Sequence, residues 1–217
     1  MLSFGAVYTL HTASFSSNGR KAVALGVHLD LSPEVLEVNV YQGAGQHPDY
    51  LDVNPWGKVP TLVDGALTLW ESNAILIYIS EAYGNHALWS REAHVRADIA
   101  RWLFWESSHW QPVLTEVLAQ HAGHIMVPTL VGPPTTDPDW DAQRLKPLLR
   151  HLEGRLGKHA YVAKMDLSLA DFSLVAMTIY FRRLGFPFER YPAFADWYHR
   201  VHALPAWQQT NVEPWLP

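Results

Sequence analysis

The segment NPWGKVPTLVDGALTLWESNAILIYISEAY, residues 54–83, constrains the fold more than any other part of the chain. Thr61 to Val63 reads as a short strand, Asp64-Gly65 is a dipeptide that closes a tight hairpin, and Leu67 to Trp70 returns the chain. Val59-Pro60 therefore stands where a hairpin begins. A proline there cannot donate to the sheet ladder, so it is either an edge residue or a cis bend. A cis bend would leave the N–H and C=O of the preceding residue open to an extended ligand. Glu71-Ser72 follows the second strand directly. Its hydroxyl can cap the helix that Ala74, Ile75, Tyr78 and Ile79 continue, and the N–H groups at that start favour a ligand carboxylate.

The remainder of the first 84 residues fits around this hairpin. Phe4 to Leu10 predicts an apolar strand that buries Tyr8, Val35 to Val40 a second strand, and Lys21 to Leu29 a helix between them. Pro48 to Val53 adds a short helical segment, and the helix opened by Ser72 runs until Gly84. The order is β-α-β-α-β-β-α. The loop from Gly84 to Leu88 is the expected boundary, giving domains of residues 1–84 and 89–217, because strand alternation disappears beyond it. Val95, Ile99, Trp102, Leu103, Trp110, Val113, Leu114, Val117 and Leu118 hold one apolar face over a run longer than an ordinary helix. Pro112 predicts a bend one turn earlier, near Ser108. Residues 127–139, with four prolines, predict a loop. Leu145 to Leu156 resumes helical spacing around Pro147. Ser168 to Asp171 is a capping box with Asp in place of Glu or Gln, a folding signal. Phe194, Trp197, Tyr198 and Val201 outline another helix, and Pro205 to Trp207 a short one.

Bulk properties exclude several classes of function. A net charge of −5, with Lys and Arg scattered singly or in pairs, supplies no basic stripe for nucleic acid and no polybasic patch for a membrane. No uncharged run approaches the ~20 residues that span a bilayer, and the N-terminal sequence lacks a basic region followed by a cleavage site, so a cytoplasmic protein is expected. There is no cysteine, which excludes disulfides, thiolate metal sites and any protein-thiol mechanism. The histidine pairs His121/His124 and His199/His202 lack a completing carboxylate or thiol, so no metal site is expected. The ten tryptophans serve either as core or as the lining of an apolar pocket.

The ordered combination of Val59-Pro60, the Asp64-Gly65 hairpin and Glu71-Ser72 resembles the glutathione-binding half of the cytosolic glutathione transferases. The capping box at Ser168 to Asp171 extends that resemblance to nearly the whole chain. It implies an α/β thioredoxin-like N-terminal domain followed by an all-α C-terminal domain, with glutathione as substrate and no cofactor. Val59 would pair its backbone with the cysteinyl part of glutathione, Pro60 would be cis, and Glu71 and Ser72 would take the amino and carboxylate groups of the γ-glutamyl end. Lys58 and Gln46 stand where family members place donors to the glycyl carboxylate, with His47 a weaker substitute.

Conjugation needs the glutathione thiolate, since a thiol with a reference pKa near ~8.5 is a poor nucleophile. Residues 13–21, ASFSSNGRK, place hydroxyls between the first strand and the first helix. They resemble the Ser-x-Asn-Ser-Arg and Thr-Pro-Asn-Gly-x-Lys patterns of serine-type and bacterial Nu-class transferases, departing in having Ser17 where proline is common. Ser16 matches the hydroxyl and Asn18 the amide of those patterns, so both are candidate catalytic donors to sulfur, with Ser17 a third. A plain helix cap is the competing role for the same hydroxyls. In this fold the pocket for a small hydrophobic electrophile lies between the loop after the first strand and the long helix, pointing to Phe15, Trp105, His109 and Trp110. The resemblance also implies a homodimer, for which Trp70 and the helix from Ser90 are suitable. Two alternatives stay open: a glutathione-dependent disulfide or peroxide reductase without protein cysteine, as in the Nu class, and a non-catalytic carrier of hydrophobic ligands.

Overall fold

In the computed structural model the chain falls into two compact units, residues 1–87 and 88–217. The structure describes residues 7–126, 131–163 and 166–210.

The first unit is built on a four-stranded mixed sheet in the order β2-β1-β3-β4. Strand β1 (Thr9–Thr12) pairs parallel with β2 (Glu34–Glu37) and antiparallel with β3 (Thr61–Asp64), which forms the hairpin with β4 (Leu67–Trp70). Helix α1 (Ser17–His28) makes the crossover between β1 and β2, as parallel pairing requires. Helix α2 (Pro48–Leu51) precedes the hairpin and α3 (Ser72–Ala82) follows it. The core contains Tyr8, Leu10, Ala22, Leu25, Leu62, Ile75, Leu76 and Ile79.

The first two strands of the sequence reading shift. The first begins at Thr9 rather than Phe4, whose position, with residues 1–6, lies outside the described residues. The second ends at Glu37. Val38 still donates its N–H to Thr12 at 2.7 Å, but Val40 turns into a short 3-10 segment, Val40–Gln42, that Asn39 caps through its side chain. Edge position explains why apolar Val35 and Leu36 remain exposed: β2 has a neighbour on one side only.

The second unit is helical: α4 (Ala93–Trp105), α5 (Gln111–Met126), α6 (Leu145–Leu156), α7 (Leu169–Ala176), α8 (Pro192–His202) and α9 (Pro205–Gln209) among the described residues. Between α4 and α5 the chain widens into one π-helical turn, Glu106–Trp110, in which the Gln111 N–H reaches back five residues to the carbonyl of Glu106. The sequence puts a bend near Ser108, and the structure has this wider turn at that place. The proline has no N–H for the Ser108 carbonyl, and a wider turn absorbs the lost bond without ending the helix. Pro147 is the third residue of α6, inside the first turn, where N–H groups have no intrahelical acceptor, so the proline disrupts nothing there. Residues 131–139 of the proline-rich stretch form no helix or strand, and 127–130 lie outside the described residues.

The core of this unit closes on a buried carboxylate. Asp171 is 0% exposed and accepts from the backbone N–H and hydroxyl of Ser168 (both 2.9 Å), from Val162 N (3.0 Å) and from the Trp197 indole (2.8 Å). The capping box thus does more than start α7; it joins the loop at Val162 and helix α8 to that start. Burial pushes the Asp171 carboxyl up in pKa, against the opposing pull of these four donors.

Candidate active site

Three sequence-predicted groups lie in the first unit, and a hydrogen bond joins two of them. The hydroxyl of Ser16 caps α1, accepting from Gly19 N at 3.1 Å, and Ser16 is only 7% exposed. Gly19 is required by space: a Cβ there would lie 1.7 Å from the hydroxyl oxygen of Thr12, so only glycine lets the first turn of α1 pack this closely on β1. Ser14 is bound elsewhere, its N–H and hydroxyl donating to the two carboxylate oxygens of Glu37 (3.1 and 2.8 Å).

Across from this turn stands the start of α3. The Ser72 hydroxyl donates to the Asn18 side-chain oxygen at 3.2 Å, joining the loop after β1 to the Glu71-Ser72 pair. Glu71 occupies φ 71°, a region where a non-glycine residue is strained, and its side chain makes no cap bond to α3. Sequence reasoning expected Ser72 to be the cap. The structure instead makes Ser72 the first helical residue, with Glu71 at the cap position.

Val59-Pro60 is a cis peptide, with Val59 half-buried and Pro60 buried. A polar network that sequence reasoning missed fixes this bend. The Lys58 carbonyl receives the Tyr50 hydroxyl (2.6 Å), the Asn54 amide (3.0 Å) and the Thr61 hydroxyl (3.3 Å), while Tyr50 and Asn54 also bond Thr61 at 2.9 Å each. Asn54 further accepts from Trp56 N at 3.0 Å. Burial raises the pKa of the Tyr50 hydroxyl, keeping it a neutral donor. The Asn54-Pro55 turn dipeptide was the available signal.

Lys58 and Gln46 are both exposed, and Gln46 packs against Gly57, the residue before Lys58. Gly57 lies at φ 63°, and a Cβ on it would fall 2.5 Å from the Gln46 side-chain nitrogen and 2.6 Å from the Gly45 carbonyl oxygen. The amide of Gln46 therefore sits over Gly57, next to Lys58. His47 is exposed, its ring 3.5 Å from Asp49.

The four aromatic candidates divide. Phe15 and Trp105 are half-buried and His109 is exposed. Trp110 is a correction: it is 0% exposed, donates its indole N–H to the Leu174 carbonyl at 3.1 Å and packs on Phe181 and Phe194. Its neighbours occupy every face, so it is core and not pocket lining. Among the described residues, no group of three or more His, Asp or Glu side chains could hold a metal ion, and no helix is long and apolar enough to cross a membrane.

The family model for the glutathione S-transferase N-terminal domain matches residues 6–81, and that for the C-terminal domain matches residues 114–200. The rice protein (Oryza sativa subsp. japonica) named probable glutathione S-transferase GSTF2 is 30% identical over 92% of this chain and 94% of its own length. Glutathione S-transferase-I bound with the ligand lactoylglutathione superimposes with a TM-score of 0.83 at 27% identity, covering 95% of this chain and 99% of that one. The theta class enzyme of Xanthomonas axonopodis pv. citri, solved with glutathione bound, gives 0.82 at 27% identity over 95% and 97%. A thioredoxin-like unit followed by a helical one, matched along nearly its full length by these proteins, makes this chain a glutathione transferase of the cytosolic glutathione S-transferase family.

Proposed function

We propose that residues 1–84 bind glutathione and activate its thiol, and that residues 89–217 contribute the pocket for a small apolar electrophile, which the thiolate attacks. The observation that carries this reading is the 3.2 Å bond between Ser72 and Asn18, which brings the sulfur-activating loop and the γ-glutamyl end of the site within one ligand's length. Glutathione lies extended along this site. Its γ-glutamyl end meets Glu71 and Ser72, its cysteinyl backbone pairs with Val59 beside Pro60, and its glycyl carboxylate meets Lys58 and Gln46.

The sulfur is served by Ser16 and Asn18. The Ser16 oxygen accepts from Gly19 N, which leaves its proton to be donated, so capping and thiolate stabilisation use the two ends of one hydroxyl. The Asn18 side-chain oxygen accepts from Ser72, and its amide N–H serves the sulfur as second donor. The energy required is modest. Lowering a thiol from ~8.5 to about 7 takes about 2 kcal/mol, and one hydrogen bond to a charged group contributes about 1.5–3 kcal/mol. One well-placed hydroxyl is enough, with the dipole at the α1 start adding about 0.3–1 kcal/mol.

Trp105 and His109 offer aromatic surface for the electrophile in the second unit, and Phe15 offers aromatic surface in the first. The enzyme acts in the cytoplasm as a homodimer, to which Trp70 (47% exposed) and Phe104 on α4 (72%) bring apolar surface. The reductase and carrier readings receive less support, since the matched proteins carry the transferase name.

Two measurements test the proposal. Purified protein assayed with glutathione against an aryl halide, a hydroperoxide and a mixed disulfide is expected to turn over the aryl halide; activity with the last two alone overturns conjugation. Ser16→Ala is expected to raise the pKa of bound glutathione by about one unit, or about 1.4 kcal/mol, with KM for glutathione nearly unchanged. An unaltered thiolate absorbance in that variant moves the role to Asn18 or Ser17.

A further inference from the structure

One charged side chain beside this site belongs to no part of the scheme above. Lys21 lies one turn into α1, on the face that carries Ala24 and Leu25 into the core, and it is 0% exposed. Its amino group donates to the Asn73 side-chain oxygen at 2.8 Å. Asn73 directly follows Ser72, and Ser72 donates to Asn18, three residues before Lys21. The starts of α1 and α3 are thus joined twice, by Asn18 to Ser72 and by Lys21 to Asn73, within one helical turn on each side. Apolar contact alone would hold two helices together while leaving their register loose, because such contact has no direction. A buried lysine is a costly way to gain stability compared with an apolar side chain of the same volume, and its well-attested use is to fix register.

We propose that Lys21 is a positioning residue for the transferase reaction: by bracing Asn73 it fixes α3 against α1, so that Ser72 meets Asn18 and both ends of the site address one glutathione. This rests on the assignment of Ser16, Asn18 and Ser72 made above. The brace acts through Asn73 and needs no contact between Lys21 and the ligand. It couples two properties that would otherwise be separable, affinity for the γ-glutamyl end and the pKa of the thiol.

The test compares full-length Lys21→Met, Lys21→Arg, Asn73→Ala and the Lys21→Met/Asn73→Ala double variant with Ser16→Ala. Each is measured for thermal midpoint, KM for glutathione and thiolate absorbance of bound glutathione against pH. Lys21→Met and Asn73→Ala are each expected to raise KM about tenfold and to shift the thiol titration upward. Lys21→Arg restores both in part, and the double variant falls short of the sum of the single ones because the two changes share one bond. A purely structural lysine would lower the thermal midpoint with KM and the thiol titration unmoved, and that result overturns the proposal, as does additivity in the double variant. Should Lys21→Met not fold, the half-buried Asn73→Ala decides by the same readouts. A normal titration in Lys21→Met beside a shifted one in Ser16→Ala defeats the brace alone; an unshifted titration in Ser16→Ala defeats the assignment of Ser16 beneath it.

Discussion

Two helix starts in this protein are built from similar residues and finished in opposite ways. At the start of α7, Ser168 and Asp171 satisfy one another, and Asp171 takes two further donors from Val162 and Trp197, so every polar group at the junction faces protein. At the start of α3, Glu71 is also acidic and also adjoins a serine, yet its side chain caps nothing, its backbone is held at φ 71°, and the serine turns to another loop. The first arrangement spends its hydrogen bonds on the fold. The second leaves the Glu71 side chain without a cap bond and its backbone strained, an arrangement that fits the binding role proposed for it.

The difference can be broken most sharply at Asp171. Replacing it with alanine strands four donors in the core, and a loss of about 3–5 kcal/mol is expected by urea denaturation. KM for glutathione, measured where the variant remains folded, should not move; a raised KM would mean that the closed junction also shapes the site. At the open junction the expected result has the opposite sign. Glu71→Gly accepts φ 71° without strain and should gain up to about 1 kcal/mol in stability, while KM for glutathione rises about tenfold. A loss of stability there would show that the Glu71 side chain supports the fold.

The smallest effect concerns the far part of α3, which is closed although its start is open. Tyr78 and Tyr83 both donate to the Asp64 carboxylate, Tyr78 at 2.6 Å, tying the helix to the β3–β4 hairpin. These hydroxyls hold the Asp64 pKa below the usual carboxylate range, that of Tyr78 first. A group depressed on folding stabilises above its unfolded pKa of about 4, and that stability disappears as pH falls through the depressed value. Tyr78→Phe should therefore flatten the acid limb of the stability profile below about pH 4 while costing only about 0.5–1 kcal/mol at neutral pH. An unchanged acid limb would remove Asp64 from the list of stabilising groups.

Local signals were read well where the rule itself is local. The Asp64-Gly65 hairpin and the Ser168 to Asp171 box follow from a few adjacent residues and appear where expected, and Pro112 marks the right place although a wider turn stands where a bend was expected. Strand ends were read less well, because β2 stops where its neighbour stops and not where its β-branched residues do. In the site, Val59-Pro60 and Glu71-Ser72 were legible as motifs, whereas the bonds from Tyr50 and Asn54 to the Lys58 carbonyl were not, since no periodicity marks a side chain that serves another residue's backbone. Trp110 was misread for a related reason. Its place on a helix beside other aromatics suits a pocket as well as a core until Leu174, Phe181 and Phe194 arrive from distant parts of the chain.

The sequence by itself determined the order of elements, the hairpin with its proline, the helix that follows it and the family to which these belong, because turn chemistry, capping and apolar spacing act over a few residues. Tertiary structure alone decided which polar groups close on one another and which stay open. Lys21 and Asn73 are 52 positions apart, as are many pairs in the sequence that never meet; only the packing of α1 beside α3 makes a bond of them and lets Ser72 reach Asn18.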